Sequence, residues 1–130
     1  MARVLVIDDD EAIRAVVTLL LSQKGHEVEA AQNGRRGIKA VEEKDFDLLI
    51  VDIFMPEMDG LETIRLLRGV KPDLPVIVIS GSNAAAPDFF SMATKLGAIE
   101  SLRKPFRPAE LLETVDMCLA FGTNRTTKLS

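Results

Sequence analysis

The chain has 130 residues, 47% of them hydrophobic and 28% charged, which is one domain's length with enough apolar material for a buried core. A net charge of −4 and a pI near 5.0 argue against nucleic-acid binding, which needs a basic stripe, and the single cysteine, Cys118, excludes an intramolecular disulfide or a Cys-based zinc site. No apolar run approaches the ~20 residues of a membrane span, and the first residues read as a strand, so a soluble cytoplasmic domain with no membrane partner is expected.

Strand and helix signals alternate. Val4-Leu5-Val6-Ile7 is a short apolar run that ends in Asp8-Asp9-Asp10. Asp10 can cap a helix whose apolar positions Ile13, Val16, Val17 and Leu20 repeat at helical spacing until Gly25. His26 to Ala31 alternates polar and apolar, as a half-exposed edge strand does, and Asn33-Gly34 opens a helix reaching about Lys44. Leu48-Leu49-Ile50-Val51 ends in Asp52 and is followed by the loop Phe54 to Gly60, then a helix from Leu61 to about Arg68. Pro72 and Pro75 punctuate the turn into Val76-Ile77-Val78-Ile79, which ends in Ser80. Gly81 to Ala86 is a small-residue loop, Pro87–Leu96 a helix stopped by Gly97, and Ile99–Arg103 a last strand leading through Lys104-Pro105 to a helix opened by Pro108. About five β-α rounds imply a parallel sheet with helices on both faces. The domain is expected to span residues 1–121, with 122–130 a frayed tail.

Four strands thus end in chemistry: Asp8 and Asp9, Asp52, Ser80, and Lys104. The carboxyl ends of parallel strands face the crevice in which open α/β sheets bind ligands. Acids that close together repel one another and need a cation between them, and an all-oxygen ligand set favours Mg²⁺. A carboxylate such as Asp52 is also a nucleophile that can take a phosphoryl group, a transfer in which positioning and charge neutralisation do most of the work. Simpler readings exist for single residues: Asp10 as a helix cap, Lys104 as a solvated lysine, Ser80 as a turn residue. His26 reads as structural, Cys118 as a small core hydrophobe and Arg35-Arg36 as a solvated face.

The ordered set Val4–Asp9, Val51-Asp52 with Met55-Pro56 and Met58-Asp59-Gly60, Ile79-Ser80-Gly81 and Lys104-Pro105-Phe106 resembles the receiver domain of bacterial two-component response regulators, over nearly the whole chain to Phe121. The resemblance implies a flavodoxin-like (βα)5 fold of strand order 2-1-3-4-5. It implies that Asp52 is the phosphoacceptor and that Asp9, Asp52 and the Phe54 backbone carbonyl ligate Mg²⁺, with Asp8 acting through water. It also implies that Ser80 and Lys104 bind the phosphoryl group and that the peptide bond before Pro105 is cis. The chain departs from the family pattern at Ser101, where an aromatic switch residue is common, and at Phe54, bulky and apolar where polar residues are frequent.

A stand-alone receiver of this kind takes its phosphoryl group from a histidine kinase and signals through a protein-binding surface, assisting its own phosphorylation and dephosphorylation without being an enzyme in the usual sense. An alternative in the same family is a phosphorelay intermediate that passes the group to a histidine phosphotransfer protein. Outside the family, an aspartate-nucleophile phosphohydrolase would need a general acid where Phe54 stands. A pure scaffold would not need the acids and the lysine. Helical spacing places Phe90, Thr114, Met117 and Phe121 beside the core stripes, so with Ser101 they form the expected output face for a downstream target or a second copy of the chain.

Overall fold

The structure is a computed structural model that describes residues 2–53, 60–80, 95 and 98–129, and their side chains except at 98, 99 and 121–129. Its elements in chain order are β1 (Arg3–Ile7), α1 (Glu11–Gln23), β2 (Glu27–Ala31), α2 (Gly34–Glu43), β3 (Leu48–Asp52), α3 (Gly60–Val70), β4 (Val76–Ser80), β5 (Ala98–Arg103) and α4 (Pro108–Leu129). All strand pairs are parallel, and the five-stranded sheet runs β2-β1-β3-β4-β5. This is the flavodoxin-like order. Of the Pro87–Leu96 helix inferred from the sequence, only Lys95 is among the described residues, and it is helical.

Strand alternation divides the interior in two. Leu5, Ile7, Leu49, Val51 and Val78 face one side, where Val41 of α2 and Leu61, Ile64 and Leu67 of α3 cover them. Val4, Val6, Ile50, Ile77 and Ile79 face the other, against Val17 and Leu21 of α1 and Leu111, Val115 and Cys118 of α4. Burial on both faces explains why β1, β3 and β4 are continuous β-branched and leucine runs. The polar-apolar alternation of β2 fits its place at the sheet edge, where its first four residues are exposed or half-buried.

Local signals account for the helix ends. The Asp10 side chain accepts from the Ala12 amide at the start of α1, and Asn33 accepts from the Arg36 amide at the start of α2. Gly25, at φ +88°, supplies the left-handed residue after α1. The single histidine is structural, its Nδ1 accepting from the Ala2 amide at 3.1 Å beside the start of β1.

Two sequence readings are corrected. Val16 is not on the inward stripe of α1: it is 44% exposed, and Leu21 is fully buried instead. The helical phase set by Val17 continues to Leu21, four residues on, and leaves Val16 about 100° aside. Thr114 is not beside the core stripe of α4 but part of the interior, its hydroxyl donating to the Glu110 carbonyl at 2.7 Å. The backbone of α4 is helical to Leu129, beyond the Phe121 boundary drawn from the sequence.

Cys118 is buried on α4, and burial first, then the negative charge of Glu100, pushes its thiol up to about 11. Its thiolate population at pH 8 is therefore roughly a hundredfold below that of an ordinary cysteine. We expect iodoacetamide to leave the native chain unmodified on the timescale that fully alkylates it in 6 M guanidinium, as read by intact mass. Comparable rates in both conditions would mean that α4 detaches readily from the sheet.

Candidate functional site

The site lies at the carboxyl ends of the central strands. β1 and β3 pair in register with Ile7 opposite Val51, and one residue further on both chains bear a carboxylate, Asp8 and Asp52. Both are buried, Asp8 fully and Asp52 to 3% exposure, whereas Asp9 is exposed at the mouth of the crevice. One carboxylate oxygen from each of Asp8, Asp9 and Asp52 lies within 4.8 Å of the others. On the next strands Ser80 ends β4 opposite Arg103, and the Lys104 amide donates to the Ser80 carbonyl at 2.7 Å, which carries the lysine over the acids. The Lys104–Pro105 peptide bond is cis.

The Lys104 ammonium sits 3.0 Å from Asp8 Oδ2 and 3.2 Å from Asp52 Oδ2. Burial alone would lower the pKa of this lysine. The close approach of the Asp8 carboxylate and the negative charge of Asp52 outweigh it, so the net shift is upward and the group stays charged. One ammonium offsets one of the three clustered carboxylates.

Asp8 is fixed by its surroundings. Its amide donates to the Ala31 carbonyl at 3.2 Å, and its Oδ1 accepts from the Asp10 amide at 2.9 Å. Its Oδ2 is buried and close to Lys104 in distance, yet no donor among the described residues is well directed along it. A buried carboxylate oxygen with spare acceptor capacity, in an oxygen-only cluster open to solvent through Asp9, fits a hard cation such as Mg²⁺.

Gly60, the first residue of α3, closes the floor. Its amide donates to the Ile53 carbonyl at 2.9 Å, and a Cβ there would collide with the Asp52 carbonyl oxygen and come within 2.6 Å of the Ile53 Cα. These are backbone atoms and cannot swing aside. Gly60→Ala is expected to lower stability by about 1–3 kcal/mol in urea unfolding, the usual range for overpacking, and to weaken Mg²⁺ binding through displacement of Asp52. Unchanged stability and metal binding would mean that the loop relaxes freely.

The remaining sequence candidates are spread out. Ser80 is half-buried at the crevice, Ser101 half-buried on β5, and Met117 is 55% exposed on α4. Phe54 and Phe90 lie outside the described residues, and of Phe121 only the helical backbone is described. Sequence reasoning missed Arg14, whose guanidinium reaches back from the first turns of α1 to the Asp8 carbonyl at 2.7 Å. It quoted Gly60 only as part of a motif. The glycine that ends the loop after β3 was a usable signal, whereas an arginine on a helix carries none.

A family model described as the response regulator receiver domain matches residues 4–116. Among curated proteins, the DNA-binding transcriptional regulator NtrC of Azospirillum brasilense is 38% identical over 94% of this chain and 25% of its own length. The response regulator MprA of Mycobacterium tuberculosis is 37% identical over 85% of this chain and 47% of its own. The chain therefore spans at most about half the length of these two relatives. Among solved structures, the chemotaxis protein CheY4 of Vibrio cholerae superposes with a TM-score of 0.85 at 32% identity, covering 91% of this chain and 98% of that one. A CheY-like receiver domain protein of Methanospirillum hungatei gives 0.90 at 28% identity, covering 96% and 98%.

Proposed function

The chain belongs to the response regulator receiver domain family, and from that premise we propose that it accepts a phosphoryl group on Asp52 from a histidine kinase, in a reaction that requires Mg²⁺. The observation that carries this reading is the Lys104 ammonium lying between two buried carboxylates, with a third acid at the mouth. A half-buried lysine locked to acids for stability alone would not leave an acidic cluster open to solvent.

In the proposed step an Asp52 carboxylate oxygen attacks the phosphorus of a phosphohistidine. A C–O–P link forms, the N–P bond breaks, and the electron pair leaves with the imidazole, which takes a proton from solvent. Asp52 holds the nucleophile at a fixed strand end, and Lys104 supplies positive charge to the transferring oxygens from its place 3.2 Å away. The Ser80 hydroxyl, on the neighbouring strand end, is the proposed donor to one of those oxygens. Mg²⁺, held by Asp9, Asp52 and the Phe54 carbonyl with Asp8 behind them, would supply the remaining neutralisation. The proposed reaction with a histidine kinase implies a cytoplasmic chain. No helix among the described residues is long and apolar enough to cross a membrane. Met117 and Ser101 belong to the proposed output face, for a downstream protein.

The test uses acetyl phosphate with and without Mg²⁺ and reads intact mass. One phosphoryl adduct that forms only with the metal, and that peptide mapping places on Asp52, is the expected result. No adduct with acetyl phosphate, or an adduct mapped elsewhere, would overturn the assignment.

A further inference from the structure

We propose that Arg14 is a positioning residue for the cation site, holding Asp8 and Asp9 in their convergent arrangement through its bond to the Asp8 carbonyl. This inference rests on the proposed Mg²⁺-dependent reading of the site.

Asp8 is the first residue beyond β1, and its backbone carbonyl accepts from the Arg14 guanidinium at 2.7 Å. That bond spans six residues, from the strand end to the second turn of α1, and Arg14 is half-buried while making it. Two shorter bonds lie inside the same span: the Asp10 amide to Asp8 Oδ1 and the Ala12 amide to Asp10 Oδ1, each 2.9 Å. Asp9 is exposed and has no burial to hold it in place, so the orientation of its carboxylate depends on this bonded loop. A charged donor to a carbonyl is worth more than a neutral one, and a guanidinium cannot lose its proton.

The same arginine places a positive charge on the backbone of Asp8, one of the three acids meant for a cation. Field and geometry therefore act in opposite directions. If Arg14 were only a charge, removing it would strengthen cation binding, and the gain would fade with added salt. If it positions the loop, removing it weakens binding at every ionic strength.

Mg²⁺ titration calorimetry on the full chain, wild type against Arg14→Met and Arg14→Lys, at low salt and at 0.5 M KCl, separates the two. Arg14→Met keeps most of the stem and removes both donor and charge. We expect its dissociation constant to rise roughly tenfold or more, the worth of one charge-assisted hydrogen bond, and the rise to persist at high salt, with Arg14→Lys in between. Without metal, the Asp10 and Ala12 amides should exchange faster in Arg14→Met than in the wild type, while those of β3 stay protected. A tighter or unchanged dissociation constant in Arg14→Met overturns the inference and leaves the phosphoacceptor reading standing. A wild-type chain that binds no Mg²⁺ overturns both. Should Arg14→Met fail to fold, wild-type affinity in Arg14→Lys at high salt overturns the inference, and a fall with intact β3 protection supports it.

Discussion

Asp52→Asn should abolish the phosphoryl adduct while leaving the chain folded with nearly wild-type stability. An amide has nearly the same shape as the carboxylate but is not a nucleophile for phosphorus, so the chemical loss is complete. The stability argument depends on the neighbours. Breaking a buried ion pair usually costs about 3–5 kcal/mol because it strands a charge. Here the Lys104 ammonium keeps Asp8 at 3.0 Å when Asp52 is neutralised, and a like charge is removed from beside Asp8. The two effects oppose each other, so a change within about 1 kcal/mol in urea unfolding is expected. Mg²⁺ affinity should fall by about tenfold or more, since one carboxylate of three is lost. An adduct that persists in Asp52→Asn at wild-type yield would move the acceptor to another acid.

Lys104→Met should slow phosphorylation by acetyl phosphate by at least about tenfold and tighten Mg²⁺ binding, two effects of opposite sign from one substitution. The ammonium lies 3.0 Å from Asp8 and 3.2 Å from Asp52, so its charge competes with a dication for the same carboxylates. Removing it leaves two buried carboxylates without their cation, so stability without metal should drop by a few kcal/mol. Added Mg²⁺ should restore much of that loss, because a ligand that binds only the folded state stabilises it by mass action. Urea unfolding at several Mg²⁺ concentrations measures both parts, with mass spectrometry following the adduct. A weaker Mg²⁺ affinity in Lys104→Met, comparable to that of Asp9→Ala, would mean that the lysine orients the acids and does not compete for them.

The sequence makes the strand ends visible for a simple reason. A parallel strand buried on both faces is a short continuous apolar run, so the first polar residue after it marks the crevice: Asp8, Asp52 and Ser80 are legible this way, whereas Lys104, after the edge strand β5 with its Glu100 and Ser101, is marked only by the Lys-Pro turn. The caps at Asp10 and Asn33 were equally visible, because a cap is a contact over two or three residues.

The rest depended on contacts distant along the chain. Val16 and Leu20 both satisfied the helical period of α1, yet which neighbour turned inward depended on where the sheet and α4 lay against that helix. Helical spacing puts Thr114 beside the core stripe of α4, but the Glu110 carbonyl one turn away accepts its hydroxyl and lets it join the interior. Arg14 gives no local sign of its role, since it acts on a carbonyl at the end of a strand, and Gly60 is visible only as the end of a loop, its contact with the backbone of Asp52 and Ile53 being a matter of tertiary packing. Composition, periodicity and capping are local, and by themselves they determined the elements and the residues at the strand ends. Only the tertiary structure could decide that Lys104 lies between Asp8 and Asp52, because that depends on the register of four strands, and register is fixed by side chains meeting across the sheet.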